Sequence, residues 1–314
     1  MSLPATALAV ILLAGTSNST DQLLRQDARL SRIAARMLTA NDFLCRVHMP
    51  IAGIELQSSD QYPDPHAVGL FAEAPVAVAV VNENSAAAAA GIAPGDGLLA
   101  VSGQPIDTLH PAADAPLRDA AFDLIASAPP GPLVLTLARN GERREVRLDS
   151  PKGCRVLVEI RVDGDAGARS NGKVVQVTSA LAAQVGDEDL AVILAHELAH
   201  SVLEHRRRLD ALGVSKGFFG EFGRNQQLNR QMEVEADRLS VHLLSNAGWN
   251  AALAPRFWRS SLGQRLNGGM LHSAVYPSAA GRAELLEREI ADYLAGDAPS
   301  WPGHLLARRD ATAN

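Results

Sequence analysis

Apolar residues in the first part of the chain recur at helical spacing. Leu23, Leu24, Leu30, Ile33, Ala34 and Met37 predict an amphipathic helix over 21–47. Pro50, Gly53, Pro63 and Pro65 then break the pattern and mark a boundary. Beyond it Val76–Val81 is a continuous apolar run that reads as a strand, SAAAAAGI as a short helix, and Ala93–Gly97 as a turn. Leu98–Val101 returns as a strand ahead of a Ser102–Pro105 turn. Leu117–Ser127 reads as a helix, and Leu133–Arg139 and Arg144–Leu148 pair around Asn140-Gly141. Arg155–Val162 alternates cleanly, and after a polar, Gly-rich stretch Lys173–Thr178 returns, so a hairpin is expected. Its second strand, Lys173, Val174, Val175, Gln176 and Val177, would offer an edge to an extended peptide. Asp187 to about Arg208 reads as one largely buried helix, with Leu190, Ile193, Leu194, Leu198, Val202 and Leu203 on its apolar face. A further helix runs from Met232 to Gly248.

Ala5–Gly15 is an apolar run too short to span a bilayer but of the length of a signal-peptide core, although no Lys or Arg precedes it. Residues 1–20 are therefore read as a signal or membrane-anchor segment, which implies export; without that role the chain would be cytoplasmic. Cys45 and Cys154 belong to no Cys-x-x-Cys pair, and in an oxidising compartment they are expected to form a disulfide. A net charge of −6 gives no electrostatic reason to expect a nucleic-acid partner. Arg206-Arg207-Arg208 reads as the solvated end of a helix. Phe218, Phe219 and Phe222 are either core or a loop that touches membrane or covers substrate.

Into the buried helix the chain puts His196-Glu197-Leu198-Ala199-His200. Histidines four apart share one helix face, so the two imidazoles can hold one zinc ion while Glu197 beside them takes a proton from water. A catalytic zinc takes a third protein ligand. Glu221 is at a fitting distance but lies in a Gly/Phe-rich stretch, whereas Glu233 opens a convincing helix and shares a face with Asp237. Glu235 points elsewhere.

With HELAH and EVEAD both in place, the chain resembles the HExxH/ExxxD zinc endopeptidases. That family includes the CAAX prenyl protease, the bacterial heat-shock protease and periplasmic assembly proteases (gluzincins). The resemblance covers about residues 151–290. It implies one zinc per chain held by His196, His200 and Glu233, with Asp237 orienting a ligand histidine. Family members often carry a His-Pro with an Arg five residues on; here the pair is Tyr276-Pro277, with Arg282 following. The phenol of Tyr276 would donate to an oxyanion or else pack, and Arg282 would pair with a carboxylate or the substrate backbone.

Residues 66–150 resemble a PDZ domain of the bacterial protease type, carried by SAAAAAGIAPGDGLLAVSGQPI. Val68, Gly69, Leu70 and Phe71 stand either at a carboxylate-binding loop or in a first strand. The expected fold class is α+β: a mainly helical peptidase domain over 151–314 with a small sheet, plus an inserted β-rich PDZ-like domain over 65–150. Residues 21–64 are expected to pack on the peptidase domain. The implied function is zinc-dependent hydrolysis of protein or peptide substrates, recruited or gated through chain termini. A soluble or peripherally membrane-attached enzyme in, or facing, the bacterial periplasm is expected. The alternative is a PDZ-containing adaptor with a zinc-bound but weakly active peptidase fold.

Overall fold

The structure, a computed structural model, describes residues 6–129, 131–213, 224–269, 277–294, 296 and 299–311. Two compact units share the chain: residues 1–32 with 49–152, and 33–48 with 153–314. The class is α+β, and residues 49–152 of the β-rich unit fall in sequence between the two segments of the helical one.

Helix α1 (Thr6–Ala40) is continuous, so the apolar run and the amphipathic pattern form one element that stops short of residue 47. It ends where the Asn41 side chain donates to Met37 O at 2.9 Å, an acceptor in the last turn, and to Leu243 O at 3.1 Å. Among the described residues no helix is long and apolar enough to cross a membrane.

β1 (His48–Pro50) is the point where the chain enters the first unit. Inside it are β2 (Ile54–Ser58), α2 (Pro65–Val68), β3 (Val76–Val81), α3 (Ala86–Ala89), β4 (Gly97–Val101) and β5 (Gln104–Pro105). α4 (Leu117–Ala126), β6 (Leu133–Arg139) and β7 (Glu142–Leu148) follow, and the chain leaves through β8 (Lys152–Cys154). The sheet runs β2-β3-β4-β6-β7, with β5 pairing on β4. β3 is apolar throughout because both its faces are covered. Val76 and Val78 join the main core with Leu98, Val101, Ala121, Ile125, Leu133, Leu135 and Leu137, while Ala77 and Ala79 pack under Leu70, Leu24, Val68 and Phe71. β4 begins at Gly97 because a Cβ there would lie 2.7 Å from that of Glu73. The preceding turn is held by Asp96, which accepts from Ala93 N–H and from the guanidinium groups of Arg139 and Arg144.

Two expectations about this unit need correction. Its sheet begins at β2 rather than after residue 65, and residues 21–32 and 49–64 belong with it, not with the helical unit. Gln57 donates to Asp27, and Asn82 donates to Ser31 at 2.9 Å. The flanking Gly and Pro residues had hidden the short strand IELQS. Nor is VGLF a first strand: Val68 ends α2, Gly69 caps it at φ 74°, and Leu70 is buried against β3.

The second unit contains β9 (Leu157–Arg161), β10 (Ala168–Ser170), β11 (Val174–Thr178), α5 (Ser179–Gln184) and α6 (Asp187–Val202). Beyond these are α7 (His205–Ala211), α8 (Arg224–Asn246), α9 (Leu253–Arg259), α10 (Ser261–Gly269), α11 (Ala279–Tyr293) and α12 (Gly303–Ala311). Its sheet order is β10-β11-β9, with β11 parallel to β9 and antiparallel to β10. The expected hairpin is therefore absent. The Gly-rich connection holds a short strand of its own, and β11 inserts between the other two. Cys45 and Cys154 are joined in a disulfide within this unit.

Candidate active site

α6 and α8 form the scaffold of the site. α6 starts with Asp187, Glu188 and Asp189 at its positive end, and the residues from Leu190 to Ala195, with Leu198, Ala199 and Val202, are buried. This burial fixes the helix, so its remaining face presents His196, Glu197 and His200 to a cavity of about 380 Å³. The same cavity is lined by Glu233 of α8, by Gly167–Ser170, by Phe257 and Trp258 of α9, and by Arg282 of α11.

The donor atoms of three residues converge. His196 Nε2 is 3.3 Å from His200 Nε2 and 3.3 Å from a Glu233 oxygen, and His200 Nε2 is 3.6 Å from the other. Ligands at the vertices of a tetrahedron with bonds of about 2.0–2.1 Å stand roughly 3.3 Å apart. The spacing of the three donors therefore fits one zinc ion, which they would hold together. Glu233 is held below the usual carboxylate range: burial works upward, but the His200 and His196 rings beside it prevail. Burial lowers the His200 imidazole to about 3, so its nitrogen is a free donor at neutral pH. Burial also opposes charge on His196, yet the Asp237 and Glu233 carboxylates beside it raise it to about 10. Burial raises Glu197 to about 7, against the pull of His196, where it can both take and return a proton near neutrality.

Each imidazole has a partner behind it. Asp237 Oδ1 lies 3.0 Å from His196 Nδ1, within ion-pair reach though off the line of the N–H. Arg282 clamps Asp237 with Nε at 2.7 Å and Nη2 at 2.6 Å, and its guanidinium lies 3.4 Å over the Trp258 ring. Arg282 therefore meets the expectation of a carboxylate partner, and that partner is Asp237. Behind His200 stands His205, Nδ1 to Nδ1 at 2.9 Å.

His205 owes its place to a break in the expected single helix. α6 stops at Val202, Glu204 turns the chain at φ 52°, and α7 starts anew. The same break buries Arg208, which donates to Glu235 at 2.6 Å, so the arginine run is not wholly solvated. The spacing of His205 from His200 gave no hint of contact, since residues five apart do not stack on a continuous helix.

Lys173 to Val177 do not form the edge. β11 is the central strand, bonded on both sides, and the strand that lines the cavity is β10. β10 was not legible because three residues in a Gly/Asp-rich stretch carry no periodicity. Glu221, Phe218, Phe219, Phe222 and Tyr276 lie outside the described residues.

Among the described residues a second group, His242, Glu289 and His304, also converges. Here both rings meet a single oxygen, Glu289 Oε1, at 2.9 and 2.8 Å, and Arg238 takes the other oxygen. Those are hydrogen-bond lengths with every group satisfied. The cluster reads as a polar tie between α8, α11 and α12, not as a metal cage.

Residues 78–115 match the family model described as PDZ domain, and residues 163–224 match Peptidase family M48. The latter span takes in His196, Glu197 and His200 and stops before Glu233. Mitochondrial metalloendopeptidase OMA1 of Schizosaccharomyces pombe is 28% identical over 137 residues, 37% of this chain and 40% of that protein. The chain thus matches well under half the length of that relative. The resemblances carried by HELAH and by the Ala-Gly-Asp phrase are borne out as similarities: residues 163–224 are similar to Peptidase family M48 and residues 78–115 to PDZ domains.

Proposed function

We propose that this chain is a zinc-dependent metalloendopeptidase acting on protein or peptide substrates. The observation that carries the reading is the tetrahedral spacing of His196, His200 and Glu233 around one point, with Glu197 beside it. When bound, zinc supplies Lewis acidity toward a water molecule and the scissile carbonyl. Glu197 takes the water proton and passes it to the leaving amine, a role suited by a carboxyl raised to about 7. Asp237, held ionised by Arg282, keeps His196 turned with Nε2 toward the site. An extended substrate adds to the outer edge of β10 along Ala168–Ser170, an end strand among the described residues that lines the same cavity. In the PDZ-like unit, β2 ends the sheet and offers the corresponding edge for a chain terminus. The Cys45–Cys154 disulfide supports residence in an oxidising compartment such as the periplasm.

The test is zinc content together with cleavage of casein and a peptide library. Glu197→Gln retains zinc and loses activity about 10²–10⁴-fold, whereas Glu233→Ala loses stoichiometric zinc. Activity that survives Glu197→Gln sinks the mechanism. Full occupancy in Glu233→Ala sinks the ligand set. A wild type that holds zinc but cleaves nothing favours the adaptor reading.

A further inference from the structure

His205 is 2% exposed, carries no part of the HExxH or ExxxD motifs, and sits directly behind a proposed ligand. Its Nδ1 lies 2.9 Å from His200 Nδ1, and its Nε2 lies 3.3 Å from Glu235 Oε2. Two imidazole nitrogens at 2.9 Å form a hydrogen bond only if one carries the proton and the other the lone pair. The far side of the His205 ring decides which. Glu235 is 1% exposed and is held as a carboxylate by Arg208 at 2.6 Å, Gln231 at 2.8 Å and Arg308 at 3.1 Å. A carboxylate only accepts, so Nε2 of His205 carries its proton and donates to Glu235. A neutral His205 then has its lone pair on Nδ1, and His200 must donate from Nδ1. That tautomer leaves the lone pair of His200 on Nε2, the atom that faces Glu233 and His196.

From this chain of contacts we infer that His205, fixed by Glu235, is a positioning residue that sets the tautomer and ring orientation of His200 for metal binding. It does for His200 what Asp237 does for His196, but with a neutral acceptor. The Arg208–Glu235 pair that fixes it links α7 to α8, and the turn at Glu204 is the backbone feature that brings it into place. The inference rests on the proposed zinc site, and its test separates the two.

The measurement is the zinc dissociation constant of the full chain by competition with a chromophoric chelator, alongside the thermal midpoint of the chelator-stripped protein. His205→Phe keeps the ring and removes the acceptor; outer partners of ligand histidines are worth about 10–100-fold in metal affinity, and a loss of that size is expected. His205→Asn places a carbonyl oxygen near the position of Nδ1 and restores affinity to within a few-fold of wild type. A role confined to packing gives the opposite order, because Phe fills the space better than Asn. Zinc binding by His205→Phe at wild-type strength overturns the inference, and so does equal loss in both variants. A wild type that binds no zinc overturns the proposed function itself.

Discussion

Replacing Arg282 by Met tests whether the clamp on Asp237 matters to the fold as well as to the site. Both partners are buried, with side chains 8% and 2% exposed, and the contact is two-pronged at 2.7 and 2.6 Å. Removing one member of such a pair leaves an uncompensated buried charge, at a cost of about 3–5 kcal/mol. Loss of the cation over the Trp258 ring places the expectation at the upper end. For a unit of this size, that corresponds to a fall in thermal midpoint of roughly 6–20 °C. All three tryptophans, Trp249, Trp258 and Trp301, lie in the second unit, so their fluorescence follows its unfolding alone. Asp237→Asn in the Arg282→Met background should add little further loss, because the amide carries no charge to strand. A single-variant loss below about 1 kcal/mol, or losses that simply add in the double variant, would refute the reasoning.

Two other expectations concern different parts of the chain. Burial works to raise Asp96, but hydrogen bonds from Arg139 and Arg144 and the Ala93 N–H hold it below the ordinary value. A depressed folded pKa adds stability that is present above the unfolded value of about 3.9 and is lost as pH falls through the folded one. Asp96→Asn should therefore weaken protection of the Ala93 amide by about 1–3 kcal/mol at pH 7, with the gap to wild type closing below about pH 4. Hydrogen exchange reads this, and a gap unchanged with pH would refute it. Reducing the Cys45–Cys154 bond, which spans 109 residues, should destabilise the second unit by about 2–4 kcal/mol. Urea unfolding followed by tryptophan fluorescence in the presence and absence of a reductant measures this, and coincident curves would count against it.

The sequence by itself determined what local pattern can carry. Histidines four apart on an apolar helix share a face whatever surrounds them, and Glu233 and Asp237 four apart on α8 do likewise. The continuous apolar run at Val76–Val81 announced a strand, which the structure covers on both sides, and Asn140-Gly141 announced the β6–β7 turn. Pairing between distant segments was beyond that reach. Whether β11 lies at an edge or in the middle depends on a three-residue strand in a Gly-rich loop, and only backbone hydrogen bonds across the sheet decide it. The assignment of residues 21–32 and 49–64 to the PDZ-like unit rests on contacts with partners 30 and 51 residues away. The partners behind the two proposed ligand histidines were the least legible. Arg282 reaches Asp237 across 45 residues, and His205 reaches His200 only because Glu204 breaks the helix with a left-handed turn that periodicity does not encode. Helix faces follow from spacing along one segment, whereas the polar groups that orient a ligand come from wherever packing brings a charge within hydrogen-bond reach.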